Sequence, residues 1–150
     1  MIGTLCLRVV ERIHGHLGWL AVAALVHPAL MLANPRRRAR LSVTLATGTV
    51  VLTAALGAWL YPHYRLLLKQ RIFIDSARHG WLFERKEHLA VGAVVFALVG
   101  CIAHLMVPAL DEGPTRARLA RLAHRAFVIA AMLALIVATL GVTVASFRSF

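Results

Sequence analysis

Apolar and polar residues are segregated along this chain into long blocks, without the short alternation of a half-buried strand. Four apolar stretches, 13–33, 41–61, 88–108 and 126–147, are separated by arginine-rich segments. Each is about 20 residues long, which at ~1.5 Å per residue spans the ~30 Å hydrocarbon core of a bilayer. Histidine aside, none carries a charge beyond its first turn. Backbone amides in lipid must be satisfied within their own segment, so such runs fold as helices. The pattern predicts an all-α fold: an integral membrane four-helix bundle, up-down-up-down, with residues 1–150 forming a single transmembrane domain.

The connections refine this picture. The first block lacks the short polar region with small residues that follows a cleaved signal peptide. "NPRRRAR" instead resembles a stop-transfer segment, so the block is expected to remain in the mature chain. "PRRRAR" carries four arginines and no acid, and "DEGPTRARLARLAHR" carries four more. By the positive-inside rule these short, dense loops are cytoplasmic and both termini lie outside. Raw counts separate the two sides little, because residues 62–87 hold six basic and three acidic residues. That long connection mixes apolar clusters with bases, and an interfacial segment is expected over about 64–86.

Composition agrees with a membrane protein. Hydrophobic residues make up 60% of the chain, and 17 Lys and Arg against 6 Asp and Glu give a net charge of +11. Here the excess reads as anchoring to lipid headgroups, with the bilayer as partner and nucleic acid excluded. The expected location is a bacterial inner membrane. Cys6 and Cys101 imply no disulfide framework. Walker A, dinucleotide-binding, nucleophile-elbow and CxxCH motifs are all absent. Gly48 and Gly57 suit close helix packing, as does the stripe Ala93, Ala97, Gly100 that ends at His104. That stripe would also leave room for a flat ligand.

Histidine carries the candidate chemistry. The chain has eight, and ionisable groups within a membrane are costly and usually functional. Counting from the middle of each span, His27 lies ~6 Å and His104 ~9 Å toward the first-connection side. His14, His16 and His88 lie at comparable depths toward the other side. His63, His79 and His124 read as interfacial residues, with His124 a reserve ligand. For His27 and His104 the bland alternative is a hydrogen bond to a backbone carbonyl one turn away.

The stretches "HGHLGWLAVAALVHP" and "EHLAVGAVVFALVGCIAH" resemble the paired-histidine helices of membrane b-type cytochromes and ferric-reductase-like proteins. The resemblance covers two of the four helices. It implies one or two haem b groups, held by His27 with His104 and by His88 with His14 or His16. Neutral imidazoles can ligate iron without bringing a permanent charge into lipid. Arg12, Arg65 and Arg85 would meet propionates at one surface. The implied function is electron transfer within or across the bilayer, as a subunit of a respiratory or quinone-linked complex or as a homo-oligomer. A quinone or an electron-carrier protein is the implied redox partner.

The spacing departs from that family. A separation of 11, His16 to His27, returns to one helix face within ~20°, whereas 13 and 16 are ~140° and ~160° off. Two other readings stand beside the haem. Glu11, His14, His16, His63, Glu84 and His88 converge at one end of the bundle, where they would hold a non-haem transition metal. The third reading is a cofactor-free structural subunit of a membrane complex.

Overall fold

Four long apolar runs give four long helical columns. The computed structural model describes residues 2–34 and 39–147, and all of its regular structure is helical. Helix α1 spans Ile2–Met31 and α2 Arg40–Tyr64; a π-turn, Arg65–Lys69, leads directly into α3, Gln70–Asp75. Helix α4 spans Ala77–Met106 and ends in a 3₁₀ turn, Val107–Ala109; α5 spans Pro114–Phe147. Each of the four columns is long and apolar enough to cross a membrane. Arg36, Arg37 and Arg38 of the first connection lie outside the described residues.

The segment 64–86 prolongs both of its neighbours. The α2–α3 column runs 36 residues, Arg40–Asp75, or roughly 54 Å, well beyond a ~30 Å hydrocarbon core. Pro62 lies inside α2, where proline removes one ladder bond and crowds the preceding turn; the π-turn follows three residues later. Between α3 and α4 only Ser76 is extended (φ −161°, ψ 104°), and it turns the chain from one helix into the other. The His79 ring then stacks on Phe147 at 4.1 Å, tying this hairpin to the end of α5.

Helix α1 packs against α2 and α5, and α4 packs against the same two, most extensively against α5. Helices α1 and α4 therefore stand on a diagonal of the bundle. Small residues set the spacing between α4 and α5. A Cβ on Gly100 would lie 2.9 Å from the Phe127 ring and 3.3 Å from the Ala123 carbonyl oxygen. The Ala93–Ala97–Gly100 stripe is buried against its neighbours. Phe127 fills the space that a flat ligand beside His104 would have used.

Large apolar side chains point outward instead. Leu30, Leu41, Leu66, Ile74 and Val91 are all more than three-fifths exposed, at 70, 71, 81, 76 and 64%. The interior is built largely from alanine, valine and leucine, with Leu25, Val43, Ala97 and Phe127 among its most buried members. Small residues inside and large ones outside is the arrangement that a lipid solvent favours.

Candidate functional site

Two places in the bundle gather polar chemistry. The first lies where α1, the end of α2 and the start of α4 meet. Glu11 and His14 are one turn apart on α1, so they share a face. Tyr64, near the end of α2, donates its phenolic proton to the Glu11 carboxylate. Lys69 pairs with Glu84 across the hairpin. The Lys86 ammonium stands 4.8 Å above the Phe83 ring and 5.9 Å from that of Tyr64. Its carbon stem passes the backbone of Gly141 on α5.

His14 is the innermost member. Its ring rests on Gly57 of α2, where a Cβ would come within 2.9 Å of Cε1. The ring lies beside the Thr53 carbonyl and within electrostatic reach of Lys86. Its Nδ1 is buried and has no hydrogen-bond partner among the described residues. Buried polar atoms are nearly always paired, so an unpaired one marks a place where a proton, a water or a ligand belongs.

The second place is an outward-facing groove between α1 and α2. His27 Nδ1 and Ser42 Oγ share a hydrogen bond of 2.6 Å. The imidazole borders a groove of about 310 Å³ lined also by Ala24, Leu41, Leu45 and Ala46. His27 is exposed, on the outer seam of the bundle, while His104 is half-buried on the diagonal helix α4. The two imidazoles expected at matching depth thus belong to helices on a diagonal of the bundle.

The remaining candidates separate. His16 and His88 are exposed, and His88 Nδ1–H donates to the Glu84 carbonyl one turn back at 2.8 Å. His63 packs beside Trp59, with ring centroids 5.3 Å apart. The Nδ1 atoms of His63 and His124 are buried and without a hydrogen-bond partner among the described residues. His79 Nδ1 meets the Ser76 hydroxyl at 2.9 Å. Both cysteines are free.

The non-haem reading finds no assembled cluster among the described residues. No group of three or more His, Cys, Asp or Glu residues among those described could hold a metal ion. The candidate carboxylates are engaged elsewhere, Glu84 with Lys69 and Glu11 with Tyr64. His88 is turned onto its own helix.

Sequence reasoning passed over Lys86 and Tyr64. The signal for Lys86 was present: positions 83, 86, 90, 93, 97 and 100 follow one helical stripe, and Phe83, Ala93, Ala97 and Gly100 on it are buried. Nothing local marks Tyr64, whose partner is 53 residues away. No family model, curated protein or solved structure matches the chain.

Proposed function

We propose that the protein is an integral membrane bundle, up-down-up-down in a bacterial inner membrane, that binds haem b at His27 and carries electrons as a subunit of a larger complex. The observation that supports this reading is the His27–Ser42 hydrogen bond at the edge of an apolar groove. With Nδ1–H donating to the serine hydroxyl, Nε2 keeps its lone pair. Metal-binding histidines are oriented through their other nitrogen in this way. Exposed Arg40, two residues before Ser42, is a cation for the propionates. Haem would supply a one-electron centre.

Of the described residues, His27 would supply one ligand to the iron. Because α1 and α4 stand on a diagonal, with His27 on the outer seam, the second ligand would come from a neighbouring subunit, which would also cover the open groove. A quinone or an electron-carrier protein would exchange electrons with the complex.

An absorption spectrum of detergent-purified protein with added haem, before and after dithionite, tests the proposal. Wild type should show a Soret band that shifts on reduction. His27→Ala should abolish it, and Ser42→Ala should weaken haem affinity about 10–100-fold. His104→Ala should leave the band in place. A colourless wild type, or an unchanged His27→Ala spectrum, rejects the assignment. The cofactor-free subunit is then the better reading, favoured by Phe127 filling the space beside Gly100.

A further inference from the structure

The polar cluster at the hairpin end runs inward and stops. Its outer members are the Lys69–Glu84 pair and Glu87. Lys86 follows, within electrostatic reach of Glu87 and Glu11. The Tyr64–Glu11 hydrogen bond comes next, and His14 is last. Farther along α1, the buried positions are Ala21, Leu25, Pro28 and Ala29, and the first, second and last of these pack in one apolar cluster with Val50, Ala97 and Phe127.

We propose that this cluster is a one-ended proton site, in which protons reach His14 from the second-connection end by way of Lys86, Tyr64 and Glu11 and go no farther. Three observations carry the proposal. His14 has a buried Nδ1 without a partner among the described residues, and a carbonyl oxygen, that of Thr53, stands beside the ring. An imidazole so placed can take a proton on one nitrogen while directing an N–H toward that oxygen. Second, Gly57 admits the ring, since a side chain there would meet Cε1 at 2.9 Å. Third, the path is lined by exchangeable groups from three elements, and beyond His14 it meets an apolar cluster in which Thr47 is the one buried polar side chain among the described residues.

The charged and titratable groups around the path come from four elements. Helix α1 supplies Glu11, α2 supplies Tyr61 and Tyr64, and the π-turn supplies Lys69. Helix α4 supplies Glu84, Lys86, Glu87 and His88. Helix α5 contributes Gly141 beside the Lys86 stem and no charge at this level. The site goes beyond the haem assignment and does not depend on it.

Deuterium exchange at imidazole Cε1, followed for each histidine by mass spectrometry, tests the proposal on the full chain in oriented vesicles. The exchange rate of this hydrogen depends on the protonation state of the ring and on its access to solvent. With unlike pH on the two faces, His14 exchange should follow the second-connection side. The double variant Glu11→Gln/Tyr64→Phe, with helix content checked by circular dichroism, should slow it by about tenfold. Exchange that is flat with pH, that follows the other face, or that survives the double variant unchanged overturns the proposal. Should the variant fail to fold, the sidedness of the wild-type profile still decides. No readout requires haem, so failure of the haem assignment leaves this test intact.

Discussion

Tyr64 and Glu11 show what a single side chain does when lipid leaves it no water to turn to. The phenol is part of the apolar cluster around Phe83, and its one polar atom reaches the carboxylate across the α1–α2 seam. Removing the acceptor leaves a donor without its partner, a loss typically worth about 1–3 kcal/mol. Glu11→Ala should lower unfolding stability in detergent by that amount. Tyr64→Phe in the Glu11→Ala background should cost little more, because the pair acts as a unit. Additive losses in the double-mutant cycle would show that the hydrogen bond does not hold the seam together. Lys86 follows the same logic with a longer reach: its stem packs against Gly141 and Phe83 while its charge stays among acids.

At the scale of the helices, Gly100 and Gly48 make a controlled comparison. A methyl group on Gly100 would strike the Phe127 ring and crowd the Ala123 carbonyl, which is backbone and cannot swing aside. On Gly48 the same group would meet nothing within 4 Å. Gly100→Ala should therefore destabilise the α4–α5 pair by about 1–3 kcal/mol, as overpacking does. Gly48→Ala should be neutral or slightly stabilising, since alanine is the better helix former. Thermal unfolding of both variants in one detergent decides; equal effects would mean that α4 and α5 are not in close contact.

This comparison also shows where sequence reading succeeds. The four spans were legible because a long apolar run needs no knowledge of its neighbours. The small-residue stripe on α4 was legible as packing for the same reason. Facing was not. The depth of His27 follows from counting along α1, but its exposure depends on α2 and α5, not α4, being the helices beside it. The helical reach of α2–α3 and α4 past the apolar blocks was hidden too, because hydropathy marks what crosses lipid and not where a helix ends.

For the molecule as a whole, charge and hydropathy divide differently than in a soluble protein. Toward the hairpin end, Leu66, Ile74 and Trp81 face outward while Lys69, Glu84 and Lys86 are partly buried within. Exposed Arg65, Arg71, Arg78 and Arg85 are interspersed with those outward apolar residues, the mixture suited to a headgroup layer. The expected topology, with the arginine-dense first and third connections in the cytoplasm, would put both termini outside. A reporter active only in the cytoplasm, fused after Phe150, should be silent, and activity there would invert the topology without disturbing the bundle.

The extended residue at Ser76 bears on biogenesis. Lys69 and Glu84 lie 7 and 8 residues to either side of it, so their ion pair closes across a hairpin that needs no distant segment. The hairpin can neutralise two of its charges before α1 and α5 are in place. An insertion machinery would then receive a pre-paired unit in place of two separately charged strands of chain. Such pairing would favour an order of assembly with α2, α3 and α4 first and the outer helices closing around them.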